Sequence, residues 1–495
     1  MKLLPRASLA AVAALAAVAW GTGPANAGKL TVVRGDSAQR VEDPLTPSQS
    51  QVERPRRSAL VAVASSAAGR RAVRRALRKA RRARRLSGAR SRKYWRIYRK
   101  ARSVRRRLRG ARGRQLGYVI ASLEGIALRG RLTAGRMRQL FVQLQRNTRY
   151  WPSKPFPGSG DFVSFGRSEV LYRYFPGKGL QLHPLGTFKR ANLIHGACKG
   201  VVNARCSRTR LRRLLDEMKR YAVRRGRGWI AWEYMFHFGG GSPPWMSGMA
   251  QATGIQALGR ASVLLGRPDY ARTARKALGA FDSRAPVGVR TRGFRGGVHY
   301  LQYSFAPRTY IYNAFIQALV GLYDFGKDAD DVRARRLFER AKPEAEAEIP
   351  FSDLGDWSMY SYRGSVSDRN YHELLREVLQ SMCTRRLGEI FCTYAKRYRR
   401  YQTEPPKIEI TGPDTAAEGQ LTRIRFTLSK LSAVELKIYR DGRLGMDEIA
   451  TFRRGSGSFR WRPRSSGTYT VRLGAKELRT GRGLKGRDSA TIEVN

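Results

Sequence analysis

The chain has 495 residues and a formal net charge of +60, with 97 Lys and Arg against 37 Asp and Glu. That length allows two or three domains with a substantial core. A field this positive favours polyanions such as acidic polysaccharide, wall polymer, nucleic acid or an anionic membrane face. Beyond the first 27 residues no apolar run approaches the roughly 20 residues needed to cross a bilayer, and the stretch 59–68 is too short and too rich in Ala and Ser.

Residues 1–27 read as a secretory signal: Lys2 and Arg6 precede an apolar stretch over 9–20, and Ala25-Asn26-Ala27 is a small-residue cleavage site. The expected location is therefore secreted or extracellular, associated with the cell envelope by charge. Residues 28–115 are expected to be a disordered linker, polar and Pro-containing over 28–56, followed by an Arg-rich basic region. Between Arg54 and Arg114 there are 26 Lys and Arg and no acid. Val73, Leu77 and Ala80 recur there at helical spacing with arginines around most of the circumference. This predicts a solvated, conditionally helical tail, or an anchor for an anionic cell-wall polymer or membrane surface. Tyr94, Trp95 and Tyr98 interleave with Arg96, Arg99 and Lys100, but no nucleic-acid-binding fold motif accompanies them, and export argues against such a partner.

Residues 116–148 predict a helix pair, with Leu116, Val119, Ile120, Leu123 and Ile126 on one face and then Met137, Leu140, Phe141 and Leu144. Gly, Pro and aromatic residues dominate 151–193. There, 168–174 has strand character and Pro176-Gly177-Lys178-Gly179 reads as a turn. Helices are expected from 207 to 401: Leu211, Leu214, Leu215, Met218 and Tyr221 fall on one face, and further periodic segments lie near 246–266, 268–281, 309–325, 329–347 and 370–400. Successive helical hairpins with long aromatic-rich connections suit an α/α toroid over 116–405, preceded by a small β region. Pro405-Pro406 marks an expected boundary. Beyond it, 406–495 alternates as strands near 408–410, 422–428, 434–439, 458–461, 469–473 and 490–494, the pattern of an immunoglobulin-like β-sandwich. The fold class expected is multidomain and mainly α, with this all-β module at the end.

The four cysteines form two close pairs in sequence, Cys198/Cys206 and Cys383/Cys392. In an oxidising compartment they fit two short-loop disulfides, although four cysteines allow three connectivities. No Cys-x-x-Cys is present, which argues against a zinc knuckle or thioredoxin-like role.

Eight of the 22 tyrosines fall between Tyr300 and Tyr371, beside arginines. Tyrosine next to arginine suits proton transfer at a carbon alpha to a carboxylate, such as C5 of a uronic acid. Arginine pairs bidentately with the carboxylate and favours the phenolate, which can then act as base. No redox cofactor is required: Gly239-Gly240-Gly241 leads into Ser242-Pro243-Pro244-Trp245 as a loop, not a dinucleotide-binding turn. No histidines have metal-ligand spacing, and a structural divalent cation is compatible with the sequence without being indicated by it.

Several motifs resemble the C-terminal catalytic domain of the D-glucuronyl C5-epimerase family. Trp245-Met246-Ser247-Gly248-Met249-Ala250-Gln251 is similar to its Trp/Tyr-Ser-Ala-Met-Ala-Gln signature. Asn313-Ala314-Phe315, the run 319–324, Asp353-Leu354-Gly355 through Tyr360, and Tyr371-His372 follow in the family's order over roughly 170–400. The resemblance implies an α/α toroid that interconverts D-glucuronic and L-iduronic units in a polymer. Matched by position, it implies catalytic roles for Tyr303, Tyr360 and Tyr371, with Arg363 holding the uronate carboxylate. Gln302, Trp245, Asn313 and His183 are the further candidate substrate contacts. Gln302 departs from the family, which has an acid there. A glutamine cannot accept a proton, so the tyrosines must do both jobs or Glu233 or Glu373 must substitute.

Three readings follow: a secreted polysaccharide uronate C5-epimerase, a uronate lyase beginning with the same proton abstraction, and a non-catalytic binder of acidic glycan or wall polymer. The expected partner is an anionic polysaccharide, and a homodimer is compatible with the sequence.

Overall fold

The computed structural model describes residues 28–47 and 66–495. The signal expected at 1–27 and the end of the expected linker over 48–56 lie outside the described residues. Helices hold about 45% of the described residues and strands about 24%, so the architecture is mixed, where mainly α was expected. The chain divides into two compact units, one ending at Glu348 and one spanning Ile349–Asn495.

In the first unit, β1 (Gly28–Arg34) and β2 (Ser37–Asp43) form a hairpin where a disordered linker was expected. Gly35-Asp36 is its two-residue turn, with Gly35 at φ +54. Leu30 and Val33 are buried. Arg40 reaches Asp161 at 2.8 Å, and Asp43 meets the buried Arg190 at 2.5 Å. The hairpin adds in parallel to β3 (Phe162–Phe165), which continues antiparallel to β4 (Tyr172–Phe175) and β5 (Gly179–Leu182), giving the order β2-β1-β3-β4-β5.

The basic region is also folded. α1 (Ala67–Arg82) buries Ala72, Val73, Leu77 and Ala80, and α2 (Gly88–Arg107) buries Tyr94, Tyr98 and Ala101. α1 packs on α3 (Gly110–Leu128), and α2 on α3 and α4 (Ala134–Tyr150). Glu124 of α3 is buried and accepts hydrogen bonds from Ser66 N at the start of α1 and from Tyr98 OH on α2. One buried carboxylate therefore ties both arginine helices to the body, and the arginines form their outer face.

The helical body continues with α5 (Pro184–Cys198), α6 (Arg208–Tyr221), α7 (Gly248–Leu264), α8 (Pro268–Ala277), α9 (Gly279–Asp282), α10 (Tyr312–Asp328) and α11 (Val332–Glu348). Short pairs β6/β7 (Val223–Arg224, Ile230–Ala231) and β8/β9 (Arg290–Arg292, Val298–Tyr300) punctuate it. α7 is buried nearly all round and packs against α5, α8 and α10, as a helix apolar on every face must. Its contact with α10 is close: a Cβ on Gly321 would sit 2.6 Å from Ala252 O. A buried polar relay joins the three helices. Asn192 donates to Gln256, and Gln256 and Arg260 both donate to Asp324 at 2.7 and 2.8 Å.

The second unit opens with an aromatic loop and the helical pair α12 (Arg369–Thr384) and α13 (Glu389–Thr403). Then follow β10 (Ile408–Gly412), β11 (Thr415–Ala416), β12 (Thr422–Leu428), β13 (Ser432–Arg440), β14 (Arg443–Phe452), β15 (Gly455–Trp461), β16 (Gly467–Glu477) and β17 (Lys485–Val494). They make two sheets, β10-β12-β15 and β11-β17-β16-β13-β14. Alternate residues of both, including Ile424, Phe426, Leu436, Ile438, Trp461, Val471 and Ile492, meet in one core. The compact division lies upstream of the Pro405-Pro406 boundary expected. Asp356 accepts from Leu431 N and Arg479, and Lys430 donates to the carbonyls of Tyr401 and Glu404. The first two bonds tie the loop before α12 to the sheets, and the last two tie the end of α13 to them across the two prolines.

Both expected disulfides are present, Cys198–Cys206 and Cys383–Cys392. Among the described residues no helix is long and apolar enough to cross a membrane.

Candidate functional site

The predicted site residues fall into two groups, one in each unit. In the first unit, the segment after β9 pairs with the start of α7. Gly248 N donates to Leu301 O at 2.9 Å, and Ser304 N to Met246 O at 3.0 Å. A Cβ on Gly248, where the family signature has Ala, would sit 2.5 Å from Leu301 O, so glycine permits this close approach. Gln302 Oε1 accepts from the hydroxyl of Ser247, the N-cap of α7, at 3.0 Å. Trp245 is buried, stacks on Tyr234 at 4.3 Å and donates from Nε1 to Phe236 O. Tyr303 is half-buried at the rim of this cluster, with ring centroids 5.6 Å from Phe238, 5.7 Å from Trp245 and 5.5 Å from Phe305. The structure thus brings Gln302, Tyr303 and Trp245 together, with Trp245 as their packed floor.

His183, a candidate substrate contact, is the N-cap of α5: its Nδ1 accepts from Gly186 N at 2.9 Å. Burial, with Arg173 and Lys189 adding to it, holds the ring well below its usual pKa, and the neutral form is the one that can accept this bond. Glu233 is fully engaged. It is buried, takes a bidentate pair from Arg136 at 2.6 and 2.9 Å, and lies 3.3 Å from Arg225. Its carboxylate has no freedom to replace the family acid.

Two features of this unit escaped the sequence reading. Lys178, read only as a turn residue, places its ammonium 5.7 Å from the Phe238 ring centre and donates to His237 O; burial lowers its pKa. It is a cation at the edge of the cluster holding Tyr303. Secondly, His299 Nδ1 lies 3.0 Å from Glu348, both buried. Burial and the Glu344 carboxylate push Glu348 up to about 10, and burial lowers His299 to about 3. The two side chains are in hydrogen-bond contact where burial disfavours the charged form of each. The spacing of Glu344 and Glu348 at i, i+4 on α11 is the signal that could have pointed to it. Asn313, near the start of α10, is buried, and its Oδ1 has no hydrogen-bond partner among the described residues.

In the second unit, Tyr360 and Tyr371 are half-buried with ring centroids 4.6 Å apart. Tyr360 begins a tight turn closed by Tyr360 N to Ser365 O. Arg363 sits at its tip, exposed, in the left-handed region at φ +51 and with its guanidinium 5.2 Å from the Tyr362 ring centre. Tyr371 lies in the first turn of α12, where Asp368 caps its N–H at 2.8 Å. His372 turns the other way. It stacks on Trp357 at 3.7 Å, and its two nitrogens meet Ser358 Oγ and Tyr398 O at 2.8 and 3.1 Å. A carbonyl can only accept, so Nε2 carries the hydrogen and Nδ1 accepts from Ser358. Glu373 is exposed, 4.0 Å from Arg376. Among the described residues no cluster of three or more His, Cys, Asp or Glu side chains is placed to hold a metal ion.

Two half-buried phenols thus lie side by side on the segment 353–371, with Arg363 three residues along the chain from one of them. Residues 226–400 match the family model for the D-glucuronyl C5-epimerase C-terminus. The D-glucuronyl C5-epimerase of Caenorhabditis elegans is 30% identical over 133 residues, which cover 24% of this chain and 22% of that protein. An uncharacterized protein of Methanocaldococcus jannaschii is 27% identical over 176 residues, covering 34% of this chain and 57% of that one. The chain thus spans just over half of one relative and about a fifth of the other. Among solved structures, the GH76 alpha-mannanase of Bacteroides thetaiotaomicron is similar at 13% identity and a TM-score of 0.32, over 45% of this chain and 61% of that one.

Proposed function

We propose that the protein is a secreted carbohydrate-active enzyme that inverts C5 of uronic acid units in an acidic polysaccharide. The observation that carries this is the Tyr360–Tyr371 pair, 4.6 Å between ring centres, inside a segment matched to the epimerase family. In this reading one tyrosine removes the C5 proton, another returns one to the opposite face, and Arg363 neutralises the carboxylate that makes the carbon acidic. Tyr303 enters by its match to the family motif. Gln302, fixed by Ser247, serves as a hydrogen-bonding group, since it cannot take a proton. The reading includes an α/α toroid over 116–405, supported by helical pairs joined by short turns, and an immunoglobulin-like sandwich over 406–495, supported by two sheets sharing one core. Export is supported by the two disulfides.

Gln302 and the salt-bridged Glu233 favour a second reading, a non-catalytic binder of acidic glycan. Incubation of the protein with glucuronate-containing polymer in deuterated water separates the two. Deuterium at C5 with new L-iduronate NMR signals is expected, and Tyr371→Phe is expected to slow exchange by about 10²–10⁴-fold. Rising ultraviolet absorbance instead would identify a lyase. Binding without exchange would leave the binder.

A further inference from the structure

The outer face of α1 and α2 is not a featureless charged surface. Arg92, Arg96, Arg99 and Arg106 line, together with Arg70 of α1, one cavity of about 760 Å³, within the range of about 300–1,000 Å³ that suits a specific ligand. These five arginines are exposed, none is in an ion pair among the described residues, and no acid lines the cavity. The α2 arginines recur at i, i+4 and i+7 and then at i+14. From Arg92 to Arg106 they form a stripe of about 21 Å, with steps of about 6, 4.5 and 10.5 Å along the helix axis and Ser103 at the turn between Arg99 and Arg106. Holding so many cations together unpaired is unfavourable unless a polyanion neutralises them.

We infer that this groove is a second binding site, for a carboxylated or sulfated oligosaccharide, separate from the segment 226–400. The inference takes its ligand class from the uronate reading above. A guanidinium fork matches a carboxylate or sulfate bidentately, and steps of about 5 to 10 Å between forks are comparable with one or two sugar units. The groove therefore accommodates a run of about four sugars.

Other polyanions fit less well. Membrane insertion needs an apolar helix face, but Val73, Leu77, Tyr94 and Tyr98 are buried against the body. Single-stranded nucleic acid needs an open aromatic platform, whereas the Trp95 ring is half-buried with Arg70 at 6.0 Å. Duplex DNA presents a convex surface, and these arginines line a concavity.

The test is calorimetric binding of a sulfated uronate octasaccharide to the full chain at fixed ionic strength. The triple variant Arg92→Lys/Arg96→Lys/Arg99→Lys keeps the charge and the fold but removes the forks. It is expected to bind at least fivefold more weakly, while Arg78→Lys/Arg81→Lys/Arg82→Lys, outside the cavity, binds like the parent. Equal affinities for the parent and the groove variant, or equal losses in both variants, would overturn the site. So would tighter binding of duplex DNA or of phosphatidylserine vesicles than of the octasaccharide. Exchange at C5 is scored separately. Octasaccharide binding lost in the groove variant but with no exchange in the parent refutes only the epimerase reading, and exchange with unaltered groove-variant binding refutes only the groove.

Discussion

Arg363 combines two properties that rarely coincide. It holds a left-handed backbone, which costs a non-glycine residue about 1–2 kcal/mol, and it presents an unburied guanidinium beside a tyrosine ring. Strain of this kind persists where the surrounding structure holds it. Arg363→Gly removes the guanidinium while relieving the backbone, so an effect on binding cannot be ascribed to unfolding. The melting temperature is expected to stay level or rise. Affinity for a uronate oligosaccharide is expected to fall by about 10- to 100-fold, the value of a lost charge-assisted pair of about 1.5–3 kcal/mol. Unchanged affinity would remove Arg363 from the site. The Tyr360 and Tyr371 rings, side by side in the structure, were legible in the sequence as a pair from the matched order of the motifs that hold them. His183 and Glu233 were not: whether a polar side chain caps a helix or faces a ligand depends on partners distant in sequence, here Arg136 lying 97 residues from Glu233.

The α12–α13 pair gathers its polar core around His372. Burial, the hydrogen bond from Nε2 to Tyr398 O, and the charges of Arg376, Arg479 and Asp353 set its titration, with burial dominant, and its pKa falls from 6.5 to about 4. Between those values the unfolded chain binds a proton that the native ring refuses, so stability is full above pH 6.5 and is lost as pH falls toward 4. The contribution reaches about 3 kcal/mol at 1.36 kcal/mol per unit. Replacing His372 with Gln, which keeps a donor and an acceptor but does not titrate, is expected to flatten denaturant-derived stability over that window. An identical slope in the variant would show that His372 is not the group responsible. At this level legibility was uneven. The helices α6, α7, α10 and α11 lie within a few residues of the segments expected, whereas the single segment expected over 370–400 is two helices, α12 and α13. α5 was hidden because Gly, Pro and aromatic residues surround it and it is buried on most sides, leaving no amphipathic stripe. β14 was hidden because it lies at a sheet edge with few buried side chains, so it carries little of the alternation by which strands are recognised. The hairpin β1/β2 carried a Gly-Asp turn signal that its polar flanks obscured.

Charge is the property that belongs to the molecule as a whole. A net +60 on 495 residues means that folding gathers like charges into a smaller volume, which opposes compaction. The repulsion is concentrated on α1 and α2, whose arginines are held side by side because the apolar stripes beneath them and Glu124 bind both helices to α3. Mobile ions relieve it. The Debye length falls from about 30 Å at 0.01 M salt to about 8 Å at 0.15 M, so distant repulsion is screened while short pairs such as Arg136–Glu233 are buried and little affected. Raising sodium chloride from 0.01 to 0.15 M is therefore expected to increase the melting temperature of the full chain, the opposite of what surface ion pairs alone would give. A groove that binds a specific ligand adds a second effect: a saturating sulfated octasaccharide should raise it further at 0.15 M salt, by linkage to the native state alone. Scanning calorimetry across the salt series checks both. A melting temperature that fell with salt would mean that paired charges, not the unpaired arginine face, dominate the electrostatics of the fold.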